Sequence, residues 1–147
     1  MTGAGDFDPT ATCGACSGRW PNAADRIAPL REGVLYLHDD QFFPGWSVLV
    51  LSRHATELFE LEREERARLM DEVSEVARAL KLAFEARKVN YALFGNLVPH
   101  VHWHVIPRLV TDPAPLESVF ALAHEPVRLA GTERSDRIAR IRRHLER

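Results

Sequence analysis

Three histidines, His100, His102 and His104, alternate with Val101, Trp103 and Val105. An extended backbone sends successive side chains to opposite faces, so the three imidazoles are expected to share one face, neighbours roughly 6.5–7 Å apart. Val101, Trp103 and Val105 then take the other, buried face. A row of imidazoles on a packed strand can bind a metal, hold a phosphate or act as a nucleophile. Polar strand faces ordinarily carry Thr, Ser, Lys or Glu, which argues against a merely solvated face. A second cluster is Cys13-Gly-Ala-Cys16, a C-x2-C knuckle whose spacing suits zinc. Two thiolates need two further ligands to close a tetrahedral site. A redox dithiol would be expected in a βαβ setting, which the sequence lacks.

The elements that must position these groups follow from periodicity. Gly33–Leu37 reads as a first strand, His38-Asp39-Asp40-Gln41 as a turn, and residues 46–51 as a second strand entered through Phe42-Phe-Pro-Gly45. Leu69, Val73, Val76, Leu80 and Phe84 recur at steps of three and four, which predicts a long helix over about residues 62–87 with one apolar stripe. Acidic residues crowd its opening turns, and Glu62–Arg66 and Glu64–Arg68 stand at i,i+4 spacing. Residues 89–94 read as a strand, 95–99 as a loop and 100–107 as the histidine strand. Pro113 and Pro115 break the chain. Residues 118–129 are expected to hold a further strand or an irregular return, and residues 133–145 a terminal helix. Hairpin-linked strands crossed by one long helix predict an antiparallel α+β sheet.

With 147 residues, 46% of them apolar, the chain reads as a single domain over residues 1–147, with residues 1–12 loosely ordered. A net charge of −2 leaves no basic footprint for nucleic acid. No apolar run is long enough to span a bilayer, and residues 1–12 do not resemble a secretory leader. A cytoplasmic location is expected, in which Cys13 and Cys16 would not form a structural disulfide.

The run from Asn96 to Arg108, filled by His100-Val-His102-Trp-His104-Val-Ile106 and followed by Pro107-Arg108, resembles the histidine triad (HIT) family of nucleotide hydrolases and transferases. The family signature is His-φ-His-φ-His-φ-φ, with φ apolar, and the resemblance covers roughly residues 13–110. It implies a five-stranded antiparallel sheet with helices packed on one side, and a homodimer. The middle histidine, His102, would be the nucleophile, attacking the α-phosphorus of a nucleoside phosphate or dinucleoside polyphosphate to form a nucleotidyl-histidine that water hydrolyses. His104 would contact the α-phosphate and assist the leaving group. Because the transferase branch tends to have Gln at that third position, His104 favours hydrolysis.

The resemblance also nominates binding residues. Asn96, with Asn90 as a second candidate, falls where relatives hold phosphates, and Asp39, beside His38 and Asp40, falls where they hold ribose hydroxyls. Some relatives complete a C-x2-C zinc site with a histidine after the second strand and the first triad histidine, here His54 and His100. The segment Phe43-Pro-Gly-Trp46-Ser47-Val-Leu-Val50 resembles the family's Pro-Gly-His-Val-Leu-Val, but Trp46 and Ser47 stand where the histidine would be. The alternatives are a nucleoside phosphoramidase of the same fold, a nucleotide-binding module with little turnover, and a regulatory protein that binds metal through the triad itself. His124 and His144 read as surface or packing residues.

Overall fold

A computed structural model describes residues 9–145. Of the segment expected to be loose, residues 1–8 lie outside the described residues and Pro9–Thr12 form one helical turn, α1. Five strands follow, β1 (Arg26–Pro29), β2 (Gly33–Leu37), β3 (Ser47–Leu51), β4 (Lys88–Ala92) and β5 (His102–Arg108), with helix α2 (Arg63–Phe84) between β3 and β4 and helix α3 (Gly131–Leu145) at the end. The sheet is antiparallel throughout, in the order β1-β2-β3-β5-β4.

The period-two pattern of the strands decides which face each side chain takes. Leu49 lies opposite both Leu35 and Trp103, and this face packs against Leu69, Val73, Val76 and Leu80 of α2 in the main core. The other face carries Val50 opposite His102 and Val48 opposite His104. Helix α2 ends at Glu85, a left-handed residue (φ 51°) whose N–H returns to the Lys81 carbonyl. The expected i,i+4 pairs are not what its arginines make. Arg68 reaches Glu32 at 2.6 Å, and the Arg66 guanidinium donates to the Leu58 and Leu61 carbonyls. Exposed pairs contribute only about 0.3–0.5 kcal/mol, whereas burying one Leu or Val contributes about 1.5–3 kcal/mol, so the apolar stripe rather than charge pairing places this helix.

Two elements differ from expectation. The fifth strand is β1, which the periodicity did not predict; residues 118–129 form the irregular return of the two readings given for them, with a 3-10 turn at Val119–Ala121. β1 is a four-residue edge strand with a register irregularity between Arg26 and Ala28, and Ile27 is its one fully buried side chain. That is too short to show alternation. Residues 131–132 also join the terminal helix ahead of the expected start.

The β2–β3 connection shapes the other face. Gly45 adopts φ 89°, and a Cβ there would lie 2.6 Å from the Phe84 ring and 2.9 Å from Pro107. Only glycine combines that backbone with so close an approach. The turn it permits seats Phe43 and Trp46 in a small second core with Ile106 and Val119.

Candidate active site and metal centre

The three histidines do not form one row. β5 begins at His102, and the chain bends at His100. The Val101 N–H is taken by the Ala55 carbonyl (2.7 Å), outside the sheet, while the Leu51 N–H donates to the Val101 carbonyl (3.0 Å). The bend turns the His100 ring away from its neighbours towards the β3 end and the N-terminal knuckle. His102 and His104 stay together, ring centroids 5.2 Å apart.

Around His100 the four groups named by the resemblance converge. Its Nδ1 lies 3.5 Å from Sγ of both Cys13 and Cys16 and 3.3 Å from His54 Nδ1, and Cys16 Sγ lies 3.3 Å from His54 Nδ1. All four ligand atoms fall within 4.8 Å of one another. Metal–ligand bonds of about 2.0–2.3 Å in a tetrahedron demand edges of about 3.3–3.8 Å, so the donor set fits an ion of zinc's size and chemistry. The remaining His100 nitrogen, Nε2, is 2.7 Å from the Leu51 carbonyl. A hydrogen bond there leaves the Nδ1 lone pair for the metal, an arrangement usual behind ligating histidines. Burial pushes His100 below its ordinary protonation range, which keeps that lone pair free.

The backbone carbonyl of His100 has a second use. His102 Nδ1 lies 2.6 Å from it, so the Nδ1 proton is held there and the Nε2 lone pair is left exposed to any bound group. Burial lowers the pKa of His102, against the opposing pull of that carbonyl, and His38 lowers it further. The ring is therefore a neutral imidazole with a fixed tautomer. Trp20, brought in by the segment after the knuckle, meets it edge-on at 4.9 Å.

His104, half-buried, is held differently. The Trp46 indole N–H donates to its Nδ1 at 3.1 Å. Burial first, then the neighbouring His102 and His38, push its pKa down to about 3. His38 lies flat on Trp46, centroids 4.1 Å apart and planes 6° from parallel. These rings, with Asn96, Leu97 and Phe120, line an open cavity of about 500 Å³. Trp20 and His38 also wall an adjoining cavity of about 320 Å³ that holds Asp39, Arg19 and Arg128.

The other nominated residues separate. Asn96 lies on the wall of the histidine cavity. Asp39 is exposed on the adjoining wall, 3.8 Å from Arg128. Asp40 is a turn residue, accepting from the Phe42 and Val127 N–H groups and contacting His124 Nε2 at 2.7 Å, which gives His124 its packing role. Asn90 is not in the histidine cavity. Its Oδ1 accepts from the buried Arg108 guanidinium at 2.9 Å, which Asp112 also holds. Two strand steps along β4 from Ala92, the residue opposite His104, are enough to take it out of reach. Trp20 and Phe120 are cavity residues that sequence reasoning missed, because neither sits in a motif and each arrives from a distant segment. Trp46, which with Ser47 stands where the family's histidine would be, bonds directly to His104.

A family model, the HIT domain, matches residues 24–110. Among solved structures, a histidine triad protein of Bradyrhizobium japonicum is 34% identical, the alignment covering 83% of this chain and 92% of that one at a TM-score of 0.75. One from Sinorhizobium meliloti is 32% identical, covering 82% and 90% at a TM-score of 0.75. A zinc-bound histidine triad family protein of Mycobacterium smegmatis shares the fold at 23% identity, covering 92% and 94% at a TM-score of 0.68. No curated protein sequence matches the chain. With the domain model spanning more than half its length and the motif residues gathered around one cavity, this chain belongs to the histidine triad family.

Proposed function

We propose that the protein is a nucleotide hydrolase that cleaves at the α-phosphate of nucleoside phosphates or dinucleoside polyphosphates through a nucleotidyl-His102 intermediate. The observation that carries this is the 2.6 Å bond from His102 Nδ1 to the His100 carbonyl beside an open cavity. It prepares Nε2 as a nucleophile at neutral pH without help from another base. The Nε2 lone pair bonds to the α-phosphorus, and the bridging P–O bond breaks with its electron pair on the departing oxygen. Water then attacks the phosphorus, the P–N pair returns to Nε2, and one water proton goes to solvent. His104 and Asn96 line the cavity where the phosphoryl oxygens would sit, and Asp39 lies on the side suited to ribose. Asn90 supports β5 through Arg108 and takes no direct part.

The assay offers dinucleoside polyphosphates and nucleoside phosphoramidates with product identification, and follows the first turnover. A burst of leaving group equal to the number of chains is expected, with a nucleotidyl-protein adduct visible by mass. Nucleotide binding with no product from any substrate would make the protein a binding module instead.

Zinc is the metal proposed for Cys13, Cys16, His54 and His100. When bound it supplies structural cross-linking rather than a reacting group, because all four positions of its tetrahedron are filled by protein. Cysteines serving as metal ligands suit a reducing compartment, in keeping with the cytoplasmic location expected. No helix among the described residues is long and apolar enough to cross a membrane. A homodimer is also proposed. β4 is an edge strand, and Tyr91, Phe94, Leu97 and Leu116 are exposed near it, a combination that calls for cover. Light scattering should give twice the chain mass at micromolar concentration, and a monomer mass throughout that range would rule this out.

A further inference from the structure

We propose that Trp46 is a positioning residue that locks His104 as a neutral imidazole with its proton on Nε2, and that the site therefore serves nucleotides whose leaving group departs as an anion rather than as an amine. This rests on the proposed attack of His102 at the α-phosphorus and narrows its substrate class to phosphoric anhydrides.

The indole N–H is a donor only. At 3.1 Å from His104 Nδ1 it requires a lone pair there, which excludes both the Nδ1–H tautomer and the doubly protonated ring. Trp46 cannot easily turn away. Its carbonyl accepts from the His38 N–H and from Gln41 Nε2, its side chain is buried, and His38 covers one ring face. The rings facing His104 are His102, His38, Trp46 and Phe120, at centroid distances of 5.2–5.8 Å. Among the described residues, the ionisable groups that shift its protonation are His102 and His38, neither a carboxylate that would stabilise an imidazolium. Burial and the neighbouring imidazoles work in the same direction.

A neutral imidazole N–H is a good hydrogen-bond donor and a very poor acid. His104 can thus stabilise charge on a phosphoryl oxygen but has no proton to hand to a leaving nitrogen. A phosphate, polyphosphate or nucleotide needs none, since the electron pair of the broken P–O bond rests on a stable oxyanion. An amine does need one, because the pair of a broken P–N bond would otherwise leave an amide anion. His102 cannot supply it, its Nδ1 proton being held by the His100 carbonyl. Among the described residues His38 is the remaining ionisable side chain lining the cavity, so it is the group a test must remove.

The test uses the full-length protein labelled with ¹⁵N-histidine. At neutral pH, two-bond N–H correlations should show His104 with an unprotonated Nδ1 and a protonated Nε2. In Trp46→Phe, which keeps an aromatic ring but loses the N–H, a mixture of tautomers is expected. kcat should fall on the order of tenfold, a fraction of the hundredfold or more lost when such a donor is removed outright, with KM within about twofold. If that variant does not fold, the wild-type spectrum alone decides the lock, and an Nδ1–H or doubly protonated His104 overturns it. On the wild type, an adenosine phosphoramidate of an alkylamine should react at least about a hundredfold more slowly than a dinucleoside polyphosphate, the scale of a missing general acid. Equal rates for the two, above all rates that collapse in His38→Gln, would overturn the leaving-group inference while leaving the hydrolase standing. No turnover of either substrate overturns the hydrolase and its leaving-group preference together, and the spectrum still judges the tautomer separately.

Discussion

His102→Ala is expected to abolish turnover, by about four orders of magnitude or more, while the chain still folds and binds nucleotide. Removing a covalent nucleophile leaves only positioning and electrostatic contributions, and losses of this scale are usual for such groups. The structural penalty is smaller. The substitution leaves the His100 carbonyl without its side-chain donor, about 1–3 kcal/mol for a buried polar group. The space vacated opens onto a cavity that already admits solvent. Circular dichroism and nucleotide titration calorimetry should therefore match the wild type while the adduct and the burst vanish. His102→Gly with added imidazole provides the complement, since a free ring placed in the vacated space should restore measurable product release. Activity of His102→Ala within tenfold of wild type would mean that another group attacks the phosphorus.

Metal removal has the second-largest expected effect, and it should act on stability before activity. One zinc per chain is expected in protein purified without chelator. A ligand present at a thousandfold its Kd stabilises by about 4 kcal/mol, which for a chain of this size corresponds to a Tm lower by roughly 10 °C when it is stripped. The cluster would tie the knuckle to the chain just after β3 and to the bend before β5, two segments already joined by the Val101–Ala55 and Leu51–Val101 backbone bonds, so metal binding would be coupled to docking of the knuckle. Activity should follow because two features of the site depend on this corner. His100 would supply a ligand nitrogen while its carbonyl holds His102 Nδ1, and the segment after Cys16 delivers Trp20 to the His102 ring. Cys13→Ser should lose zinc by elemental analysis, expose the residues around Trp20 to limited proteolysis and lower Tm. Protein that contains no zinc, or a Cys13→Ser variant with unchanged metal content, would end the assignment.

What the sequence determined by itself is whatever is written in short-range periodicity. Alternation placed Trp103 and Val105 on the packed face and His102 and His104 on the other, because a strand repeats every two residues whatever surrounds it. The 3.6-residue stripe of Leu69, Val73, Val76 and Leu80 marked α2 for the same reason. Composition within a motif was equally legible, since the triad and the C-x2-C knuckle each lie within a few residues. Tertiary structure decided the rest. β1 has too few residues to show a period, so only its pairing with β2 makes it a strand. The His100 ring leaves the row because Ala55, far off in sequence, captures the Val101 N–H. Asn90 is taken up by Arg108, and Asp40, besides its local bond from Phe42, is held by His124 and Val127, which arrive from a distant loop. The bond from Trp46 to His104 and the contact of Trp20 with His102 likewise join residues far apart in the chain. Such contacts depend on sheet register and on where loops close, and these are properties of the whole packed chain rather than of any window within it.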